Sequence, residues 1–218
     1  MPANTSNPDG AKKRTYRLGK RRESIDRTRQ RILAAANELF SGPAPARISL
    51  DDVAAKAGVS RATVYYQFKS RRELLDAVVL AAIPLVRMAE LVAAREHPDA
   101  REAAMSYLVG MARFWEDGGP VLMNVSRLAA VDPEAQLLSE NYDAQRRQAL
   151  VGVARRLESQ GYLADGVDAA RLAEVLWWLS SLASFDHLRR RSGLSVEDVG
   201  ETLGRMFAPL LRETPAPR

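Results

Sequence analysis

The sequence of 218 residues contains no cysteine and only two histidines. The lack of cysteine excludes disulfide bonds, thiolate zinc sites and cysteine nucleophiles. Long apolar runs are also missing, since the longest one, Ala77–Val86, contains Pro84. A membrane-spanning helix needs about 20 apolar residues, and the polar first ten residues hold no apolar signal core. We therefore expect neither a membrane span nor a signal peptide.

Strand-forming residues are scarce. There are four isoleucines and six threonines, while alanine and leucine are abundant. This balance favours helices over strands. Apolar residues make up 46% of the chain, which is enough for a packed core. The composition therefore predicts an all-α protein.

Positive charge is concentrated in the N-terminal third of the chain. Residues 1–72 carry 16 basic and 6 acidic side chains, a net charge of +10. Residues 73–218 carry 16 basic and 21 acidic side chains, a net charge of −5. The first segment is therefore suited to a polyanionic partner, and the second is not.

Two short helices joined by a glycine turn are predicted after residue 48. Ser49 and Asp52 have the spacing of a capping box at the start of one helix, and Gly58 is placed to end it. Ser60 then caps the next helix, Arg61 to about Phe68. Two short helices with such a turn describe a helix-turn-helix.

The second of these helices has an apolar and a polar face. Val64 and Phe68 are four residues apart and face the core, whereas the outward side lacks a carboxylate that would repel phosphate. We interpret it as a DNA-reading helix. An ordinary surface helix with a charged end is the alternative, and the capping and turn residues disfavour it.

The segment before this unit is basic. Residues 1–22 are predicted to be a disordered arm, which either keeps the protein soluble or lies on DNA phosphates or in a minor groove. A first helix is predicted from about Ser24 to Ser41, and Gly42-Pro43-Ala44-Pro45 ends it.

Arg31–Phe40, Ile48–Ser60, Arg61–Ser70 and Leu74-Leu75 together resemble the N-terminal signature of the TetR family of bacterial transcriptional regulators. The resemblance covers about residues 28–79. It implies a three-helix DNA-binding domain followed by a helical bundle that binds a ligand and dimerises through its last two helices. Repression is the usual mode of regulation in this family.

The resemblance and the charge boundary together suggest four parts. We expect a basic arm over 1–22, a helix-turn-helix DNA-binding domain over 23–72, a ligand-binding and dimerisation domain over 73–212, and a tail over 213–218.

The candidate DNA contacts surround the second helix of the motif. Arg61 either pairs with guanine O6 and N7 or contacts a phosphate, and Gln67 either pairs with adenine or lies outside the groove. Only base contacts specify sequence, whereas phosphate contacts fix register. The predicted DNA-binding residues are Ser49, Leu50, Ser60, Arg61, Ala62, Thr63, Tyr65, Tyr66, Gln67, Lys69 and Arg71.

Capping and stop residues mark further helices toward the C-terminus. They are predicted at about Asp99–Glu116, Val121–Ala130, Asp132–Gln160, Asp168–Arg191 and Ser195 to about Leu211.

The helix at Asp168–Arg191 is apolar on more than one side, so one side needs a partner. A twofold dimer also suits a motif that reads few bases by itself. The predicted dimer-interface residues are Leu182, Phe185, Val199, Leu203, Met206, Phe207 and Leu210.

Aromatic residues and methionines are frequent after residue 100. They are interpreted as the lining of a pocket for a small, largely apolar or aromatic effector. Core packing is the alternative for each single residue, and Met111, Trp115 and Trp177 are favoured for the pocket. The predicted ligand-binding residues are Tyr107, Met111, Phe114, Trp115, Met123, Tyr142, Trp177 and Trp178.

An enzyme is the alternative of another class. His97 and His187 lack a nucleophile or metal partner in the sequence, and no phosphate loop or nucleophile elbow is present. We expect a cytoplasmic, nucleoid-associated regulator without catalytic residues, cofactor or metal. A sequence-tolerant DNA-binding protein, or an activator without an inducer, remains open.

Overall fold

The computed structural model of the chain describes residues 8–42 and 48–216, with side chains from residue 23 onward in those ranges. Every regular element in this part of the chain is a helix, which confirms the predicted all-α class. The elements are α1 Pro8–Ser41, α2 Leu50–Ala57, α3 Arg61–Phe68, α4 Arg71–Ala81, α5 Leu85–Glu96, α6 Ala100–Leu128, α7 Pro133–Ser159, α8 Ala169–Leu179, α9 Leu182–Asp186, a π-helical turn His187–Arg191, α10 Val196–Phe207 and a 3₁₀ turn Ala208–Leu210.

The first helix is longer than predicted. It begins at Pro8 instead of near Ser24, so the part of the expected disordered arm that is described, residues 8–22, is helical. The physical reason is that the segment is rich in lysine and arginine, which are good helix formers, and only Gly19 interrupts it between residues 11 and 40. Residues 1–7 and the predicted stop after Gly42 lie outside the described residues.

The helix-turn-helix is built as the caps predict. The Ser49 side chain accepts a hydrogen bond from the Asp52 N–H, and the Asp52 carboxylate accepts one from the Ser49 N–H in return. Gly58 ends α2 with φ 62°, a left-handed conformation that suits glycine. The Ser60 side chain then accepts from the Thr63 N–H at the start of α3.

The N-terminal helices α1, α2 and α3, which form the reading unit, do not have a core of their own. Val64 and Phe68 of α3 are fully buried, as predicted, together with the inner faces of α1, α2 and α4. The same buried cluster continues into α6 and α7 through Val121, Leu122, Val125, Leu128, Ala135 and Leu138. The buried residues of α4 thus belong to both the reading unit and the body.

The body is a bundle in which α6 is central, because α5, α7 and α10 all pack against it. The helices predicted at Asp99–Glu116 and Val121–Ala130 are joined into the single helix α6, and the predicted break between them is a kink, where Gly119 has φ 46° and ψ −135°. A second buried cluster joins α6, α7, α8 and α10 around Leu108, Leu150 and Leu172.

The helix predicted over Asp168–Arg191 is interrupted. The α8 helix ends at Leu179, and Ser181 begins α9 by accepting a hydrogen bond from the Ser184 N–H. Serine side chains compete with the helical backbone and favour caps over helix interiors, which explains the break at Ser180-Ser181.

The expected tail is tied to the body over its described part. The Arg212 N–H donates to the Tyr162 carbonyl at 2.8 Å, and the Ala216 N–H donates to the Gly161 carbonyl at 2.9 Å. Residues 213–216 therefore extend a contact that begins at the Leu163–Leu211 pairing; residues 217–218 lie outside the described part.

Candidate nucleic-acid interface

The face of α3 opposite its buried residues is open to solvent. Arg61, Ala62, Tyr65 and Tyr66 are exposed, with Tyr66 the most accessible of these aromatic residues at 69%. Thr63 is half-buried and shares a hydrogen bond with the Ser60 hydroxyl at 2.9 Å. Hydroxyls, a guanidinium and a methyl group are the groups that contact base edges and phosphates in a major groove.

Arg61 is held at the start of α3 by two neighbours. Its guanidinium donates to the Asp51 carboxylate at 2.8 Å and lies 5.7 Å from the centre of the Tyr65 ring. The contact with Tyr65, followed by attraction to Asp51, raises the pKa of Arg61 above its ordinary value. Both partners are exposed, so the guanidinium can turn toward an incoming base or phosphate at little cost.

Lys69 occupies a tight turn between α3 and α4. Its φ of 48° makes it the one non-glycine residue with positive φ in the described ranges. Such a conformation costs energy for an L-residue with a Cβ. The turn leaves the Lys69 side chain exposed directly beyond the reading helix, where an ammonium group suits a DNA phosphate.

Two predicted DNA contacts point elsewhere in the structure. Leu50 is buried in the shared core and contributes packing, not a DNA contact. Gln67 is half-buried, and its amide donates to the Ile25 carbonyl at 3.4 Å. Sequence spacing does not reveal this contact, because Gln67 and Ile25 are 42 positions apart in the chain.

Arg71 is also engaged within the protein. Its guanidinium lies 2.8 Å from the Asp132 carboxylate and 3.2 Å from the Glu134 carboxylate, with one fifth of its side chain exposed. The phosphate contact that the family resemblance implied for Arg71 is therefore replaced in this structure by a clamp between α4 and the start of α7. Burial raises the pKa of Asp132, but hydrogen bonds from the Ala135 N–H and from Arg71 outweigh it and hold that pKa below its ordinary value.

An Arg71→Ala variant is expected to lose about 1–2 kcal/mol of unfolding free energy and to keep the salt dependence of DNA binding. Because the folded-state pKa of Asp132 is depressed, the clamp stabilises fully at neutral pH, and the contribution fades as the pH falls from the ordinary aspartate pKa through the lower folded-state pKa. Thermal unfolding of both proteins at neutral and acidic pH measures this. A shallower salt dependence with unchanged stability would instead assign Arg71 to DNA.

Two further contacts of the reading unit were not predicted. The buried Asn124 side chain of α6 donates to the Phe40 carbonyl at 2.6 Å and to the Gly42 carbonyl at 2.9 Å. It thereby satisfies carbonyl groups at the C-terminal end of α1 that lack helical partners. On the other side, Arg29 donates to the Gln67 carbonyl and stacks 4.1 Å from the Phe68 ring centre. Neither contact has a local sequence signal.

The predicted effector residues are divided between the two cores. Tyr107 and Met111 are buried in the second cluster, Met123 is buried in α6, and Phe114 and Trp115 pack edge to face at 5.0 Å between the clusters. Trp178 is 59% exposed, which contradicts its assignment to a pocket. Its position follows from the helical period, since its neighbours Trp177 and Leu179 turn toward the body.

A polar group lies among the remaining aromatic residues. Arg146 donates to the Trp177 carbonyl at 2.6 Å and to the Ser180 hydroxyl at 2.7 Å, and its guanidinium lies 5.4 Å from the Trp177 ring centre. The Trp115 indole N–H donates to the Ser180 carbonyl at 3.0 Å. By contrast, the buried Trp177 indole N–H has no hydrogen-bond partner among the described residues.

Tyr142 lines a groove of about 610 Å³ between α4 and α7. Its hydroxyl donates to the Asp76 carboxylate at 2.6 Å. Burial, followed by this hydrogen bond, raises the pKa of Tyr142 far above its ordinary value. The other groove residues are Ser70, Arg72, Glu73, Asp76, Leu80, Leu138, Asn141 and Gln145.

The predicted dimer residues have different surroundings. Phe185, Val199, Leu203 and Phe207 are buried in the chain's own core, so their assignment to an interface is wrong. The reason is that the stripe of Val199, Leu203 and Phe207 on α10 faces α6, not a partner, and Phe185 on α9 belongs to the same buried cluster. Leu182 and Leu210 are half-buried, and Met206 is 56% exposed.

Within the described residues, none of the helices has both the length and the apolar character to cross a membrane by itself. The α4 and α5 helices together have that length and apolar character, but the angle between them is 79°.

Comparison with known proteins gives matches over the reading unit and over the whole fold. Residues 32–78 match the family model described as bacterial regulatory proteins, tetR family. The uncharacterized HTH-type transcriptional regulator TtgW of Pseudomonas putida is 35% identical over 114 residues, which cover 52% of this chain and 70% of TtgW. The HTH-type transcriptional regulator SrpR of Pseudomonas putida is 34% identical over 116 residues, covering 53% of this chain but less than half, 45%, of SrpR.

Solved structures share the fold at lower identity. NalD, the secondary repressor of the MexAB-OprM multidrug efflux pump in Pseudomonas aeruginosa, matches with a TM-score of 0.68 at 22% identity, over 88% of this chain and 98% of NalD. A SmeT–triclosan complex matches with the same TM-score at 21% identity, over 87% and 96% of the two chains.

Proposed function

The chain belongs to the TetR family and is a DNA-binding transcriptional regulator, and we propose that it is a repressor that binds a palindromic operator as a homodimer and is released by a small effector. The observation that carries this proposal is the exposed polar face of α3, opposite Val64 and Phe68. A rigid helix with its polar side free is what a major groove accepts.

Within this proposal, Arg61, Ala62, Thr63 and Tyr66 contact base edges, and Ser49, Ser60, Tyr65 and Lys69 contact phosphates. Ser49 stands at the start of α2, where free backbone N–H groups favour phosphate. Gln67 and Arg71 position the reading helix and its neighbour, as their contacts with Ile25 and Asp132 indicate. Some polar residues around α3 thus contact DNA, whereas others hold α3 and α4 in position.

The dimer interface lies on the C-terminal helices. Trp178 and Met206 are large apolar side chains with more than half of their surface exposed, and an exposed apolar patch is typical of an interaction surface. Leu182 and Leu210 extend this surface. Such a dimer places two α3 helices about 34–36 Å apart, one turn of DNA.

The effector binds where α6, α7 and α8 meet, beside Trp115, Trp177 and Arg146. The partnerless Trp177 N–H supports an effector with a hydrogen-bond acceptor, and the aromatic rings support a flat apolar body. Phe114 and Trp115 pack against both buried clusters. A ligand bound here therefore changes the orientation of the reading unit relative to the rest of the protein. DNA affinity then falls by the ligand's differential affinity for the two arrangements.

Selection of bound sequences from a random DNA pool tests the proposal directly. An inverted repeat with half-sites one DNA turn apart is the expected result. Recovery of unrelated sequences with a steep salt dependence would instead identify a sequence-tolerant DNA-binding protein. Small aromatic compounds with an acceptor group are then titrated into the operator complex, and release by an effector is overturned if none of them lowers the operator affinity.

Arg61→Ala is expected to relax sequence preference at one base pair of each half-site by roughly tenfold, since a bidentate contact to a base discriminates by about 1–3 kcal/mol. Binding titrations on operators with single-base changes measure this. An unchanged preference profile with a uniformly weaker affinity would reassign Arg61 to the phosphate backbone.

Lys69→Gly is expected to raise the unfolding free energy by about 1 kcal/mol, because glycine adopts positive φ without strain. The same change removes an ammonium group, so affinity falls alike for all sequences and the salt dependence becomes shallower. Lys69→Ala is the matched control, since it removes the charge and keeps the strain. Equal stability of the two variants would contradict the strain argument.

A further inference from the structure

The N-terminal part of α1 is an unusually basic helix. Between residues 8 and 22 there are seven lysines and arginines and one acidic residue, Asp9. The family match begins only at residue 32, and Ile32 is the first buried residue among those of α1 whose side chains are described, from residue 23 onward. Neither the packing of the reading unit nor the family signature accounts for this extension.

The extension begins next to the C-terminal end of α3. Gln67, at the end of α3, donates to the Ile25 carbonyl, and Arg29 donates to the Gln67 carbonyl at 2.6 Å. Arg29 also stacks on the ring of Phe68. The helix therefore passes the C-terminal end of α3 at residues 25–29, and its first 15 residues continue beyond that end.

The basic positions of the extension follow the helical period. At 100° per residue, Lys13, Arg14, Arg17, Lys20 and Arg21 fall within about 120° of one another around the helix axis. This one-sided stripe is about 12 Å long. The whole extension is about 22 Å long, or the length of six to seven base pairs of DNA.

We propose that this helical extension is a second DNA contact, which lies along the phosphates that flank the operator half-site read by α3. The proposal rests on the proposed function, because the DNA must first be engaged by α3. Duplex DNA presents one negative charge per about 1.7 Å of axis, so a stripe of five cations meets several phosphates at once. The contact adds affinity and length of bound DNA without adding base specificity.

The test compares two duplexes and two triple variants. One duplex contains the selected operator alone, and the other extends it by about ten base pairs on each side. The arm variant changes Lys13, Arg17 and Lys20 to Gln. The matched control changes three exposed arginines of the body, Arg113, Arg155 and Arg191, to Gln. Glutamine is a good helix former, so helix content is preserved and is checked by circular dichroism.

The wild-type protein and the control are expected to bind the extended duplex at least tenfold more tightly than the short one. The arm variant is expected to bind both duplexes alike, and its salt slope falls by about 0.9 for each lost phosphate contact. Equal behaviour of the arm variant and the wild type on a sequence-specific operator overturns the inference alone. Absence of sequence preference in the wild type overturns the proposed function. Loss of binding to anionic phospholipid vesicles, with DNA binding unchanged, would assign the stripe to membranes and also overturn the inference.

Discussion

A Phe68→Ala variant is expected to lose about 3–5 kcal/mol of unfolding free energy and, with it, DNA binding at ambient temperature. Phe68 is fully buried where α3 meets α1, and its ring also supports the Arg29 guanidinium. Removing the ring leaves a cavity and takes away the surface on which Arg29 is stacked. Since small domains are stable by only about 5–15 kcal/mol, this loss is a large fraction of the total.

Tyr66 provides the matched control, because it lies on the same short helix and is mostly exposed. Tyr66→Ala is expected to change the unfolding free energy by less than about 0.5 kcal/mol and to weaken operator binding by roughly tenfold. Denaturant unfolding and DNA titration are measured on both variants. A stable Phe68→Ala protein, or an unaltered DNA affinity in Tyr66→Ala, would contradict the division of α3 into a core face and a reading face.

Replacing both Trp178 and Met206 by arginine is expected to produce a folded monomer with an operator affinity roughly 10²–10⁴-fold lower. Both side chains are exposed in the protomer, so the charges do not disturb its core. In a twofold interface the same changes bring four guanidinium groups into one apolar surface, and burying unpaired charge there is unfavourable. Without dimerisation, the second half-site no longer binds as an intramolecular event.

Sedimentation of the double variant and titration of a full operator and of a single half-site measure these effects. The half-site affinity is expected to remain that of the wild type. Val131→Arg is the control, since Val131 is exposed and apolar but lies at the turn between α6 and α7. A double variant that remains dimeric would move the interface to another surface.

The parts of the fold that the sequence predicts are those with local causes. A capping box needs only Ser49 and Asp52, and the left-handed turn at Gly58 needs only the glycine. The burial of Val64 and Phe68 follows from their spacing on one short helix. In each case the residues that form the pattern are within four positions of one another in the chain. A local sequence pattern is therefore enough to predict the feature.

The errors have distant causes. The stripe Val199, Leu203 and Phe207 is correctly apolar, but periodicity does not distinguish the chain's own α6 from a second protomer. The carboxylate of Asp132, which holds Arg71, is far away in the sequence. Over residues 8–22 a charge-rich composition is compatible with a disordered arm and with a helix, because lysine and arginine also favour helix.

The amide of Asn124 and the buried cluster shared by α4 and α6 have a consequence for cooperativity. Val121, Val125 and Leu128 of α6 complete the buried cluster of the reading unit. The reading unit therefore cannot unfold while the body stays folded. Heating is therefore expected to unfold residues of both in one transition. A core substitution in α6, made far from any base pair, then weakens DNA binding through the same equilibrium that governs folding.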